Sequence, residues 1–533
     1  MQKPKKSILL LLILIAILAF FLFSIPNSEA SENLAMVSMF EPDEGAIVPI
    51  LLNMIAPKET IKQFVYQFIF YRYYYYGFPY FASSAVVLFP LQWLNQADNV
   101  PLVMLVLRQM ISVLPMLIAL LILVYMQDGF RTYRSVVLFV FLLSIPAVVR
   151  NGFWLHPDGL VLLLSVLVIY FLWKDNRAFG KGFLIAGALC GVLIATKLVG
   201  AFFFLAVGMS LIWGLVEKKL TWKKAIWASL LFILVMTGAF VISNPFLLSK
   251  WGRIEYFNVA KKQADLLSEG YGVLYAKGIS AAWPLIHEYY GEAIFLLTTL
   301  GVTIWSAVKS KDRFLPALTL AWFIPLTSYL LFFVHFKYQY WLPVAVPLIS
   351  NLVLLLPESW KDLHWKRWQW VGRMLVWLIV AVQFARFFTQ SIQMATAQTD
   401  RKENNSQIDF YNQTLEQLES VFPNEMHVYY DYRLYLPETT GWMTETSYDL
   451  LDYQYIQERD FQILLLLEQR IRDYLNPGVT GIDPDHFALN QQFYRDADNG
   501  TIEGYYLIYR NETGLIYVRD DVCQEYFNSA QCR

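Results

Sequence analysis

Lys3-Pro4-Lys5-Lys6 runs directly into the uncharged stretch Ser7–Ser24, SILLLLILIAILAFFLFS. A run this long and apolar reads as a membrane span, not as a helix of a soluble core. The lysines ahead of it keep the amino terminus in the cytoplasm, so the chain emerges on the outer side. Ser28-Glu29-Ala30 also fits the small-residue pattern of a signal cleavage site. The segment is therefore a first span or a removable signal, and either leaves Ser31 outside.

Working outward, further apolar runs occupy 102–126, 135–149, 159–173, 182–195, 200–216, 225–243, 293–308, 314–334, 341–356 and 370–388. Of the 533 residues 57% are hydrophobic and only 16% charged, against about a quarter charged in soluble domains. A single soluble globule is excluded. Forty-two Lys and Arg against 43 Asp and Glu leave a net charge of −1, so there is no basic field to hold nucleic acid. If each run crosses once, about eleven transmembrane helices result. Arg131/Arg134, Lys174/Arg177/Lys181, Lys218/Lys219/Lys223/Lys224, Lys309/Lys311/Arg313 and Lys361/Lys366/Arg367 then all fall on the cytoplasmic side.

One more apolar segment, Tyr80–Leu94, would invert that pattern if it crossed, so it is expected to be interfacial or partly inserted. The tyrosine run Tyr71-Arg72-Tyr73-Tyr74-Tyr75-Tyr76 before it suits headgroup depth. The reading is a polytopic α-helical membrane domain at 1–389, whose first outer loop (25–101) carries interfacial helices, and an extracytoplasmic domain at 390–533. In the latter, 427–430 and 461–465 read as strands, and 505–509 with 515–518 as a hairpin around Asn511-Glu512-Thr513-Gly514. This predicts an α+β fold. Of three cysteines, only Cys523 and Cys532 are placed to pair. Asn404, Asn412, Asn499 and Asn511 each begin an N-x-Ser/Thr triplet, in keeping with an outer location.

The outer loops hold polar residues that spanning does not require. Phe40-Glu41-Pro42-Asp43-Glu44-Gly45 packs three carboxylates into four positions, which repel unless a cation, a proton or a hydroxyl substrate sits among them. The plain alternative is a solvated turn cornered by Pro42. In Arg150-Asn151-Gly152-Phe153-Trp154-Leu155-His156-Pro157-Asp158-Gly159, Asp158 is a natural cap for a helix starting at Leu160. Lys197, after Thr196, either snorkels or meets a phosphate. His335-Phe336-Lys337-Tyr338-Gln339-Tyr340-Trp341 adds a second cation among rings. The loop opened by Ser243-Asn244-Pro245-Phe246 carries Arg253, Lys261 and Lys262, which read as a solvated surface. Arg108, inside its span, has no role in this reading. Acids that deprotonate a hydroxyl and cations that stabilise a departing phosphate suit glycosyl transfer from a lipid-linked sugar.

In their order along the chain, Asp43-Glu44, His156-Pro157-Asp158, Ala195-Thr196-Lys197, Ser243-Asn244-Pro245 and Phe336-Lys337-Tyr338 with Leu342-Pro343 and Pro347 resemble the C-type (GT-C) glycosyltransferases. The nearest likeness is to the branch of protein O-mannosyltransferases and lipid A aminoarabinose transferases. Tyr430-Asp431-Tyr432 with Leu436-Pro437-Glu438 resembles the start of the outer domain in related bacterial proteins. The resemblance implies a polyprenyl-phosphate sugar donor and inversion in a single displacement at the outer face of the cell membrane. The acceptor hydroxyl belongs to a protein, lipid or glycan. By the same resemblance Asp43 is the general base and Glu44 orients the acceptor. His156 and Asp158 shape the sugar or acceptor pocket, Lys197 and Lys337 hold the donor phosphate, and Tyr338 is a further substrate-binding residue. Lys337 stands where many relatives have arginine, which keeps the charge but loses the bidentate fork. Asp43, Glu44 and Asp158 would suit magnesium or manganese, yet no metal is expected, because lysines neutralise the phosphate. The rival classes are a transporter or lipid flippase, whose polar groups gather near the midplane, and a binding module on an anchor, for which eleven spans are too many.

Overall fold

The apolar runs are helices in the computed structural model, which describes residues 4–269, 277–309, 313–355, 367–422, 425–437, 441–447, 451–475 and 484–526. Among these, seven helices are long and apolar enough to cross a membrane: Lys6–Ser28, Val100–Asp128, Leu198–Val216, Trp222–Ile242, Phe314–Phe332, Tyr338–Leu355 and Met374–Thr399. Two bent pairs, Tyr133–Leu143 with Pro146–Gly152 (65°) and Ile279–Tyr290 with Ala293–Lys309 (84°), raise the number to nine. Pro146 has no N–H with which to continue the first helix of its pair. The runs at 159–173 and 182–195 form Asp158–Asp175 and Lys181–Thr196. Among the described residues each apolar run named in the sequence is mainly helical, and the segment read as interfacial forms Phe78–Trp93.

The chain divides into two compact units. The first takes the amino-terminal helix to Ser28, Ile50–Gln263 and the stretch ending at Gln398; the second takes Glu29–Pro49, a short piece beginning at Ala264, and the chain from Thr399 onward. In the first unit, Lys181–Thr196 packs between Asp158–Asp175 and Trp222–Ile242. Gly187 and Gly191 make the second contact possible: a Cβ on Gly191 would stand 2.1 Å from the Met236 carbonyl oxygen, the small-residue spacing that lets membrane helices touch backbone to backbone.

Val100–Asp128 is interrupted by a π-helical turn at Arg108–Val113. Arg108 is fully buried there and donates to the Asn27 carbonyl at 3.0 Å, so it joins the break in one helix to the end of another. Ser112 in the same turn donates to the Trp154 carbonyl at 2.6 Å. Helix Asp158–Asp175, 18 residues long, spans about 27 Å. It separates Asp158 from the basic turns at its far end, where Arg177 pairs with Glu217 at 2.8 Å and Lys219 joins at 3.1 Å. Lys311, Lys361 and Lys366 lie outside the described residues.

The second unit contains a five-stranded sheet in the order β2-β1-β3-β5-β4, with β1 His427–Tyr430, β2 Met443–Glu445, β3 Ile463–Leu467, β4 Tyr505–Arg510 and β5 Gly514–Arg519. β1 runs parallel to β2 and β3, while β3–β5 and β4–β5 are antiparallel. Central β3 is buried along its whole length. Ile463, Leu465 and Leu467 enter one core and Leu464 and Leu466 the other, as the two-residue period of a strand requires. The hairpin turn is tied by Asn511, whose side-chain oxygen accepts from Thr513 N (2.8 Å) and Gly514 N (3.0 Å). Arg470 and Asp431 form a buried pair at 2.7 Å. Cys523 is disulfide-bonded; Cys532 lies outside the described residues.

Candidate functional site

The turn Phe153–Pro157 joins helix Pro146–Gly152 to helix Asp158–Asp175. The sequence placed the start of the latter at Leu160 with Asp158 as its cap. The structure corrects this: Asp158 is the first helical residue, Pro157 holds the cap position, and no side-chain cap bond forms. The carboxylate is otherwise engaged. Asp158 Oδ1 accepts from Lys197 Nζ at 2.6 Å, and its Oδ2 pairs with His156 Nδ1. Asp158 is 1% exposed and His156 3%. A carboxylate this deeply buried needs its charge matched, and two cationic or N–H groups meet that need better than a helix end.

Lys197 reaches this carboxylate because helix Lys181–Thr196 stops one residue before it. Its backbone is extended (φ −158°, ψ 134°) before the 3₁₀ turn Leu198–Phe203. The side chain turns inward and does not snorkel. Its ammonium lies 3.9 Å from the Tyr340 ring centroid, and Lys337 Nζ lies 5.8 Å from the same ring. Lys337 occupies the cap position of helix Tyr338–Ser350. The face of a phenol carries partial negative charge, so one ring draws in both ammonium groups that the sequence marked for phosphate. Tyr338 is also spoken for: Tyr289 stacks on it (3.9 Å, 9°), and Tyr290 donates to its carbonyl at 2.6 Å.

The structure thus brings His156, Asp158, Lys197 and Lys337 into one neighbourhood of the first unit, with Tyr340 linking the two lysines. Asp43 and Glu44 belong to the second unit. They sit in the first turn of helix Pro42–Ile55, after helix Leu34–Phe40. Pro42 opens that helix and does not corner a solvated turn. Glu44 is fully buried, Asp43 half-buried, and the positive end of the helix dipole favours both carboxylates. Asn244 is buried and donates to the Phe240 carbonyl at 3.2 Å. Arg253 donates to the Leu247 carbonyl at 2.8 Å, while Lys261 and Lys262 are exposed. These residues support the loop and are not part of the buried cluster. Sequence reading missed Tyr76, whose hydroxyl stands 2.9 Å from His156 Nε2, and Trp154, stacked on the His156 ring at 4.1 Å. The available signal was their place beside Gly77 and His156, masked by the abundance of aromatic residues. Among the described residues, no group of three or more His, Cys, Asp or Glu is arranged to hold a metal ion.

A many-helix membrane unit followed in sequence by a mixed α+β unit is the architecture of the C-type glycosyltransferases, and the chain has that fold. Among solved structures it is similar to ArnT from Cupriavidus metallidurans bound to undecaprenyl phosphate, with a TM-score of 0.55 at 13% identity over 96% of this chain and 97% of that one. It is also similar to the archaeal oligosaccharyltransferase AglB from Archaeoglobus fulgidus in complex with an inhibitory peptide and a dolichol-phosphate (TM-score 0.52, 12% identity, 95% of this chain and 73% of that one). No family model matches the chain, and no curated protein matches it in sequence.

Proposed function

We propose that this protein is a membrane glycosyltransferase that moves a sugar from a polyprenyl-phosphate donor to an acceptor hydroxyl at the outer membrane face, by inverting single displacement. The observation that carries this reading is the Lys197–Asp158–His156 cluster with Lys337 gathered on the same tyrosine, in a fold of which one solved example holds undecaprenyl phosphate and another a dolichol-phosphate. Asp43 takes the proton of the acceptor hydroxyl, and Glu44 orients the acceptor. The acceptor oxygen bonds to the anomeric carbon as the bond from that carbon to the phosphate oxygen breaks. The electron pair leaves with the phosphate, whose growing charge Lys197 and Lys337 stabilise. His156 and Asp158 shape the sugar pocket, and the reaction uses no metal.

The test is Asp43→Asn in full-length protein reconstituted with glycosylated undecaprenyl phosphates and candidate acceptors. The variant inserts normally, and transfer falls by about 10²-fold or more, the scale of a lost general base. Undiminished transfer rejects the role of Asp43. Solute or lipid movement by wild type without any transfer rejects the enzyme reading in favour of transport.

A further inference from the structure

The acidic turn does not stand alone in its unit. Glu29–Pro49 belongs to the same compact unit as the chain from Thr399 onward, and one residue at the start of that later stretch reaches both ends of the helix leading to the acids. Arg401 Nη2 donates to the Glu29 carbonyl at 3.0 Å and to the Ala30 carbonyl at 3.4 Å, ahead of helix Leu34–Phe40. Its guanidinium carbon also lies 4.7 Å from the ring centroid of Phe40, the last residue of that helix. Ala30 is left-handed (φ 52°), a conformation that non-glycine residues seldom hold unless their surroundings fix it. Arginine suits this place because a planar guanidinium donates along its edge while it lies against an aromatic ring.

Further contacts fix the same helix. Asn33 caps it by accepting from Met36 N at 2.8 Å, and the Asn33 amide donates to the Tyr435 hydroxyl at 3.1 Å. Ala30, Met36, Met39 and Tyr435 are buried together, with Phe40 packed against them. Glu41 alone separates this helix from Pro42–Ile55. A Cβ on Gly45 would fall 2.0 Å from Ser38 Oγ, so the two helices are in close contact there. What fixes Phe40 therefore fixes Asp43, which follows it in the first turn of the second helix. Lys402 also pairs with Glu32 at 2.5 Å, but both side chains are nearly half exposed, and so wet a pair holds little.

We propose that Arg401 is a positioning residue for the acidic turn: it holds Phe40 and the entry to its helix, so that the Asp43 carboxylate keeps one position for proton transfer. The inference rests on the reading of Asp43 as general base and deepens it by giving the second unit a part in the chemistry. A general base must lie within hydrogen-bond reach of the proton it takes, and a misplacement of about 1 Å can cost about a hundredfold in rate. Without Arg401 the carboxylate is present but loosely held.

The experiment reads amide hydrogen exchange over 34–45 and steady-state transfer in full-length protein in nanodiscs. Undecaprenyl-phosphate hexoses and pentoses serve as donors, hydroxylated peptides and purified membrane lipids as acceptors. Arg401→Met raises exchange in that segment by about tenfold and lowers kcat by about tenfold, with donor KM within about twofold of wild type. Phe40→Leu, which takes away only the ring, moves both in the same direction by about threefold. Lys402→Met, which removes only the exposed pair, changes neither by more than about twofold. In an Asp43→Asn background, Arg401→Met lowers kcat by less than about twofold further, because it acts through Asp43; a general loss of structure would lower it in full. Unchanged exchange over 34–45 in Arg401→Met, a raised donor KM in place of a lowered kcat, or an undiminished effect without Asp43 overturns the proposal. Wild type without transfer, or full transfer by Asp43→Asn, refutes the base reading, and this inference with it.

Discussion

Replacing Lys197 with methionine leaves the Asp158 carboxylate 1% exposed with His156 as its one remaining partner in the ion-pair cluster. Removing one member of a buried pair costs about 3–5 kcal/mol, because the other charge stays desolvated. The Lys197 side chain is 14% exposed, so water reaches part of the pair and the lower end applies, about 3 kcal/mol. Asp158→Asn leaves the ammonium on the Tyr340 ring, beside an amide oxygen that can still accept from it, and costs less, about 2 kcal/mol. The double variant removes both charges and should also cost only about 2 kcal/mol, giving a coupling near 3 kcal/mol. At about 2 °C per kcal/mol for a chain of this size, Lys197→Met should lower the Tm by about 6 °C. The double variant should recover about 2 °C of that loss. The assay is thermal unfolding in one detergent at one scan rate, since membrane-protein unfolding is irreversible and rate-dependent. Losses that simply add, or a Lys197→Met variant within 1 °C of wild type by that ~2 °C scale, refute the reasoning.

The His335 imidazole, half-buried in the loop before Lys337, is held down at about 4 by burial first and by the Lys337 charge second. The unfolded chain therefore binds a proton that the folded one does not between roughly pH 6.5 and 4. Stability is full above that window and falls as pH drops through it; His335→Asn should flatten the fall in Tm between pH 7 and pH 5, and an unchanged slope rejects the assignment. Gly77→Ala forces its new Cβ against the Ala195 carbonyl oxygen and should cost about 2–3 kcal/mol. Gly208→Ala, with nothing within 4 Å, should be neutral or gain about 0.5–1 kcal/mol in its helix; equal Tm values for the two variants would count against the close junction. Transfer should survive chelator, and loss of activity that added magnesium or manganese restores would show that the lysines do not suffice.

The sequence was most legible where one physical effect dominates. Uncharged runs became helices because a bilayer leaves the backbone little else. The strands at 427–430 and 505–509 were found because β-branched and aromatic residues lie between turn-forming ones, whereas the strand expected at 461–465 lies two residues later, at 463–467. The site was legible as residue types and not as contacts. His156, Asp158 and Lys197 stood out as charges in apolar surroundings, but their pairing spans 39 positions from Asp158 to Lys197, and nothing local encodes it. Tyr76 was hidden because a tyrosine beside a membrane already has a sufficient reason to be there. Arg108 gave no clue to its hydrogen bond to the backbone carbonyl of Asn27, since every residue carries such a carbonyl.

The wide turn at Arg108–Val113 also governs how the rest of its helix is aimed. Each residue in a regular helix advances the facing direction by about 100°, and a π turn stores one surplus step of that kind. Past it, Met116, Leu120 and Leu123 are buried in a segment that packs along Asp158–Asp175. Excising a single residue from the turn would give a more regular span, equally greasy and equally able to cross a bilayer. It would nonetheless swing that whole face off its neighbour and withdraw the Ser112 hydroxyl from beneath Trp154. A protein repaired in this way would insert like the original and lose the support that Ser112 gives the turn carrying His156.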